Sequence, residues 1–369
     1  LSLDALRGFD MFWIIGGDGL FIELAKYTHW GWLGKVADQL EHPVWDGFAF
    51  YDLIFPLFLF ISGVTVPFSL IRRLEAGESK WHLYGRVLRR VVLLVFLGLV
   101  CNGLLKLDFA HMRYPSVLGR IGLAYGLAAL IALNLRPKGQ MAAIVTILLG
   151  YWAALMWIPV PGVGAGVLTE GGWLGGYIDR TVLPGKLYRG VHDPEGLFST
   201  VPAVATALLG VLTGYWLRLT GTAGGSSEAS SLSRQVRCGL GMLAAGAVCL
   251  GLGWLWNHWL PFNKNMWSSS FVLWVGGWSL LFLGVFYLVI DVLKCQRWAF
   301  PFVIIGLNPI TIYVGRRIID FPKAAHFLFD GALGRWTDLA RPVWFALAVL
   351  LLEWLFLYFL YRKKTFLRV

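Results

Sequence analysis

His42 is followed within a short stretch by Trp45, Asp46 and Asp52, and directly after them runs the apolar segment L-I-F-P-L-F-L-F-I-S-G. That segment is long enough to enter a bilayer, so the stretch holds a titratable side chain at the boundary between water and membrane. Chemistry at a membrane surface is the first expectation it raises. Other polar groups lie inside apolar runs: Asp18 in I-I-G-G-D-G-L, Arg120 beyond Pro115, Asn308 before Pro309, and Glu353 near the end of the chain. Ionisable groups at that depth pair with one another or line a polar cavity, which makes Asp18 a functional candidate. Its flanking glycines let the backbone or a ligand approach closely. For Arg120 the spacing suggests Asp108, or a carboxylate of another helix, as partner. The Asn308 amide either satisfies the local break that Pro309 introduces or faces a ligand.

The elements that must position these groups are membrane helices. Of the 369 residues, 57% are hydrophobic and only 14% charged, and there are 19 Trp. With a mean hydropathy of +0.66, this is the composition of a polytopic membrane protein and not of a soluble domain. Apolar runs of about 20 residues fall near 8–24, 51–71, 87–105, 117–135, 140–158, 200–219, 237–256, 267–291, 299–318 and 343–361. The expected fold is all-α, with about ten transmembrane helices in a single domain over 1–369. Its possible halves, 1–220 and 235–369, meet at the flexible linker G-T-A-G-G-S-S-E-A-S-S-L-S-R-Q. Residues 159–199 are too rich in glycine to span a membrane, and read as a Gly/Trp-rich extracytoplasmic loop, a lid or platform. It closes on H-D-P-E-G, where His192 adds a second titratable group and Asp193 and Glu195 are expected to cap the next helix.

The net charge of +11 invites a nucleic-acid reading, but Lys and Arg gather at helix ends, as membrane topology requires. No nucleic-acid partner is expected; the lipid bilayer is. The strongest basic loop carries Arg72, Arg73, Lys80, Arg86, Arg89 and Arg90, and the tail carries Arg362, Lys363 and Lys364. Taking both as cytoplasmic places both termini inside and His42 outside. The four cysteines, Cys101, Cys238, Cys249 and Cys295, have no metal-ligand spacing and read as small apolar packing groups; no metal is expected.

The run H-P-V-W-D-G-F-A-F-Y-D-L-I-F-P-L-F-L-F-I-S-G from His42 resembles the matching stretch of the heparan-α-glucosaminide N-acetyltransferase family and its bacterial relatives in the transmembrane acyltransferase group. Further matches follow in the same order: D-A-L-R-G at Asp4, R-Y-P-S-V-L-G-R-I-G at Arg113, G-Y-I-D-R at Gly176, D-P-E-G at Asp193, N-K-N-M-W-S at Asn263 and G-L-N-P-I-T-I-Y-V-G at Gly306. Together they extend over almost the whole chain. The family's large lysosomal N-terminal domain has no counterpart here, so the expected address is a bacterial cytoplasmic membrane.

The resemblance implies transfer of an acetyl group from cytoplasmic acetyl-CoA to a sugar on the other side of the membrane, either an amino sugar or a glycan hydroxyl. His42 matches the family's catalytic histidine, acting as general base or as acetyl acceptor, with Asp18 or Asp52 fixing its tautomer. At Asp18 the chain departs from the lysosomal pattern, which carries an asparagine there. A carboxylate orients or charge-stabilises His42, whereas an amide donates to an acyl oxygen. The matched motifs supply the expected substrate-binding set: Trp45, Asp46, Arg113, Arg120, Asp193, Glu195, Asn263, Lys264, Asn265 and Asn308. Arg72, Arg86, Arg89 and Arg90 are the cations available for the anionic end of CoA. A carbohydrate or lipid-linked sugar transporter is the rival reading, since helices carrying Asp18, Arg120 and Glu353 would also line a translocation path. Such helix surfaces also permit a homodimer.

Overall fold

The computed structural model describes residues 1–221, 228–333 and 340–367; residues 222–227 of the expected linker lie outside them. The fold is all-α, without a strand among the described residues. Its helices are α1 (Ser2–Phe12), α2 (Asp18–Thr28), α3 (Gly31–Asp38), α4 (Ile54–Val64), α5 (Lys80–Cys101), α6 (Val117–Asn134), α7 (Pro137–Trp157) and α8 (Leu174–Val182). They continue with α9 (Leu197–Gly221), α10 (Glu228–Trp256), α11 (Ser269–Phe286), α12 (Phe300–Leu307), α13 (Pro309–Ile318), α14 (Phe321–Leu333) and α15 (Arg341–Arg362).

The protein is an integral membrane protein. Among the described residues, seven helices are long and apolar enough to cross a membrane, and an eighth if the pair Arg297–Leu307 and Pro309–Ile318, bent by 61°, counts as one span. The stretches expected to span at 8–24 and 87–105 are helical too, but differ in kind. In the first, Gly16 takes φ 120° inside a π-turn and separates α1 from α2. In the second, Arg89 and Arg90, with Arg86 just ahead of them, put charge into the first half of α5. Local signals set several boundaries. The Ser116 hydroxyl accepts from Gly119 N at 3.0 Å to start α6, and Pro137 and Pro309 open α7 and α13, where their missing N–H costs nothing.

Contacts divide the chain into two compact units. The first holds Leu1–Pro43, Ala49–Ile54 and the described residues from Val285 onward; the second holds Val44–Phe48 and Phe55–Gly284. In the first unit, α1 packs on α12, α2 on α3 and α15, and α14 on α15. The α1–α12 crossing depends on paired glycines, since a Cβ on Gly8 would lie 1.6 Å from Phe302 O and one on Gly306 1.9 Å from Asp4 O. In the second unit, α6 packs on α5 and α9, and α9 also on α7 and α8. There Gly63 and Gly210 play the same part, their added Cβ atoms falling 2.0 Å from Ala207 O and Phe60 O. Lipid offers little hydrophobic drive for helices to associate, so close backbone approach at small residues supplies much of the contact energy.

Gly210→Val should therefore force the α9 crossing apart, at a cost of roughly 1–3 kcal/mol, and lower the unfolding temperature in detergent. A Gly150→Val control, at a glycine with open space around its Cβ position, should leave that temperature nearly unchanged.

Candidate active site

His42 lies in the loop between α3 and the 3₁₀ turn Phe50–Leu53 that leads into α4. Gln39 closes the ends of this loop. Its carbonyl accepts from Tyr51 N at 3.0 Å and its side-chain Oε1 from Phe50 N at 3.1 Å. His42 Nδ1 stands 2.6 Å from Asp52 Oδ1, and the other carboxylate oxygen accepts from Ala49 N at 3.1 Å. Asp52 occupies the first helical turn, where a carboxylate reaches back to the exposed N–H groups. Its side chain is only 2% exposed, while that of His42 is 46% exposed. A buried carboxylate beside Nδ1 selects the tautomer with the proton on Nδ1 and makes Nε2 the basic ring atom.

Tyr51 joins this pair to Asp18. Its ring lies 5.1 Å from the imidazole, and its hydroxyl lies within electrostatic reach of the Asp18 carboxylate. Asp18 Oδ1 also accepts from Gly19 N at 2.7 Å. Of the two carboxylates expected to orient His42, Asp52 is the one that touches the ring, while Asp18 acts on the neighbouring Tyr51 electrostatically. Arg316 acts on Tyr51 electrostatically, donates to Ile14 O at 2.5 Å and sits 2.8 Å from Glu353 Oε1. All of these residues belong to the first unit.

Asn308, also in the first unit, is 1% exposed, and its amide secures the C-terminal segment. Its Nδ2 donates to Thr365 O at 3.1 Å and its Oδ1 accepts from Leu367 N at 3.1 Å. It marks the break between α12 and α13, but its amide holds the backbone of the C-terminal segment, distant in sequence, and not the carbonyl that Pro309 frees.

The remaining expected groups lie in the second unit. Asn263, fully buried, donates to Trp45 O at 3.0 Å and Asp46 Oδ1 at 3.1 Å and accepts from Met266 N at 2.9 Å, so it clamps the W-D segment. The Trp45 indole donates to Leu168 O at 2.8 Å and meets the His192 ring edge-on at 5.1 Å. His192 is fully buried, with Glu170 3.8 Å away and Asn265 as a further polar neighbour, and neither ring nitrogen completes a well-formed hydrogen bond. Burial holds its pKa below the ordinary imidazole value, against the pull of Glu170. Next to Asn265, the Lys264 carbonyl accepts from Trp267 N at 3.2 Å and shapes the turn before α11.

Arg113 grips Asp193 with two hydrogen bonds, 2.7 and 2.6 Å, and also pairs with Glu195. Burial opposes its charge, but the two carboxylates outweigh it and hold the guanidinium pKa above its usual value. Asp193 and Glu195 are thus engaged in an internal ion cluster. The first N–H of α9 is capped from elsewhere, since Leu197 N donates at 3.0 Å to Asp179 Oδ1 on α8. Asp193 acts one step earlier, accepting from Glu195 N at 3.0 Å. Arg120 does not pair with Asp108, whose partner is His111 at 2.9 Å. Its guanidinium instead donates to Ser199 Oγ and lies over the Trp267 ring at 5.0 Å. Of the expected CoA cations, Arg72, Arg86 and Arg89 are exposed. Arg86 pairs with Glu78 at 3.0 Å, and Arg90 stacks over Tyr125 at 4.1 Å.

The chain is 27% identical, over its whole length, to heparan-alpha-glucosaminide N-acetyltransferase of Homo sapiens and 28% identical to that of Mus musculus. It is a homologue of these N-acetyltransferases. A family described as a domain of unknown function (DUF5009) matches residues 1–104, which contain His42, Asp18, Tyr51 and Asp52. The chain spans about three fifths of the length of the curated relatives it matches, 59% and 61%.

Sequence reading singled out neither Tyr51, Asp179 nor Arg316. Tyr51 and Asp179 stand inside two motifs quoted for the resemblance, A-F-Y-D and G-Y-I-D-R, and an ionisable group repeated within such a motif was the available signal. Asp179 is fully buried, and burial, only partly offset by the Leu197 N–H, raises its pKa to about 6. The folded protein therefore keeps this proton between about pH 4 and pH 6, where an unfolded chain releases it. Stability falls as pH rises through that window. Asp179→Asn keeps an acceptor for Leu197 N and should flatten the fall, giving an unfolding temperature at pH 7 no lower than the parent's. Arg113→Ala would leave the fully buried Asp193 without its partner and should destabilise by about 3–5 kcal/mol, read from the same thermal scans.

Proposed function

We propose that the protein is a membrane acetyltransferase that moves an acetyl group from acetyl-CoA on the cytoplasmic side to a carbohydrate on the extracytoplasmic side. The observation that carries this reading is the His42 Nδ1 to Asp52 Oδ1 contact of 2.6 Å at the start of an apolar helix, together with the named activity of the relatives. An imidazole oriented by a buried carboxylate is the arrangement that acyl transfer from a thioester uses.

In the direct route, the acceptor amine or hydroxyl attacks the thioester carbonyl while Nε2 of His42 takes its proton. The tetrahedral intermediate then collapses, the carbon–sulfur bond breaks, and CoA leaves as a thiolate that takes up a proton. In the covalent route, Nε2 itself attacks the carbonyl and expels CoA, and the acetyl-imidazole passes its acetyl group to the acceptor. In both, Asp52 stabilises the positive charge that develops on the ring, and Asp18, through Tyr51, limits the ring's movement. The exposed cations Arg72, Arg86 and Arg89, with Arg90, are the groups on hand for the phosphates of CoA. Trp45, Asp46, Asn263, Lys264 and Asn265 are the groups proposed to bind acceptor on the strength of the matched motifs; within the second unit Asn263 clamps the 45–46 segment and Arg113 holds the Asp193 and Glu195 segment in place.

Inside-out vesicles given radiolabelled acetyl-CoA, with a glucosamine-terminated acceptor trapped in the lumen, provide the test. His42→Ala should lower transfer by roughly 10²–10⁴-fold, and Asp52→Asn should lower kcat with little change in the KM for acetyl-CoA. Transfer by His42→Ala at the parent's rate would remove the assignment. Label that stays on the protein when acceptor is left out selects the covalent route.

A further inference from the structure

Three membrane-crossing helices end at one groove of the second unit. Glu75 closes the span Phe50–Glu75, Pro137 opens Pro137–Trp157 and Leu219 closes Leu197–Leu219, and all three line an open cavity of about 400 Å³. Leu212, Tyr215 and Trp216, on the last turns of α9, complete its apolar wall. A groove set at helix ends lies at the boundary between hydrocarbon and water. Its walls are fixed in advance. Tyr215 packs against the buried cluster of Val66, Leu70, Leu133 and Val211, and a Cβ added to Gly241 on α10 would fall 2.3 Å from the Trp216 ring.

The charges around the groove are unevenly matched. Arg218 donates to Pro67 O at 3.1 Å and to Glu75 Oε1 at 3.2 Å and also pairs with the second carboxylate oxygen, so the Glu75 charge is answered within the wall. Arg136 and Lys138 stand exposed on either side of Pro137 and form no ion pair among the described residues. The groove therefore has an apolar body and an unanswered positive rim.

We propose that this groove binds an anionic phospholipid, with an acyl chain against Leu212, Leu219 and Trp216 and the phosphate at Arg136 and Lys138. A free phosphate would meet the two cations and leave the apolar wall uncovered. A zwitterionic lipid would cover the wall but bring its own ammonium to a rim that is already positive. Tyr215 and Trp216 are also the residue types that settle at headgroup level in a bilayer. None of Arg72, Arg86, Arg89 and Arg90 lines the groove, so the site is separate from the cations assigned to CoA, and the inference does not rest on the acetyltransferase reading.

Native mass spectrometry of the delipidated full chain in detergent provides the test, with titration by short-chain phosphatidylglycerol, short-chain phosphatidylcholine and the chainless glycerophosphoglycerol. Phosphatidylglycerol should bind saturably and at least fivefold more tightly than phosphatidylcholine, and glycerophosphoglycerol should not bind. Replacing both cations, Arg136→Gln with Lys138→Gln, should weaken phosphatidylglycerol roughly 20- to 30-fold, about fivefold for each charge, and leave phosphatidylcholine unchanged. Leu212→Trp fills the groove and should weaken both lipids. The double variant changes only exposed side chains, so it decides the matter even if Leu212→Trp fails to fold. Equal affinity of the parent for the two lipids, phosphatidylglycerol binding that the double variant keeps, or its displacement by acetyl-CoA overturns the inference.

Discussion

The contact between His42 and Asp52 is the interaction on which the rest of the first unit's polar architecture depends. Taking a carboxylate out of water costs several kcal/mol unless it is paired and hydrogen-bonded. Asp52 meets that cost with the His42 imidazole on one oxygen and Ala49 N on the other. Both partners come from the loop that enters α4, so satisfying the carboxylate also fixes the ring. Gln39 completes the arrangement by holding the far end of the loop to Phe50 and Tyr51. The result is an imidazole whose orientation is set by backbone geometry, which is the arrangement the proposed role of His42 requires.

The same accounting explains most of the other polar groups in an otherwise apolar chain. Arg113 with Asp193 and Glu195, Arg120 with Ser199 and Trp267, and Asn263 with Trp45 and Asp46 are internal clusters of the second unit. Such clusters hold loops in place and consume the groups that form them. Asp193 and Glu195, attractive as ligands when only their types and spacing are considered, are occupied by Arg113. The accounting is incomplete at Asp10, Arg120 Nε, Asp179 Oδ2, His192 and Glu353, which are buried and retain polar atoms without a hydrogen bond among the described residues.

Small residues govern how closely the scaffold packs. Gly8 and Gly306 bring α1 against α12, and Gly63 and Gly210 let α9 approach α4, at distances where any side chain would strike a carbonyl. Gly16 serves differently. Its positive φ turns the first helical segment at the point just ahead of Asp18. Asn308 and Pro309 make the corresponding break near the other end of the chain, and the 61° bend there leads into the Arg316 end of α13.

Composition and hydropathy by themselves determined that this is a helical membrane protein, because apolar runs of span length admit few other outcomes once backbone groups must be satisfied internally. The ordered motifs were also legible, and with them His42 and the homology to N-acetyltransferases. The number of spans was not, since hydropathy counts apolar residues but does not see a φ of 120° at Gly16 or a bend at Asn308. Tertiary structure alone decided which carboxylate meets the histidine. Asp18 and Asp52 were equal candidates by type, and only the 3₁₀ turn at Phe50–Leu53, which folds Asp52 back toward the loop, separates them. It also decided that Asp179, 18 residues upstream of Leu197, caps α9 in place of the adjacent Asp193 and Glu195. Partners in such pairs are chosen by where helices cross, and crossing geometry is written in packing between distant segments, not in the spacing along one of them.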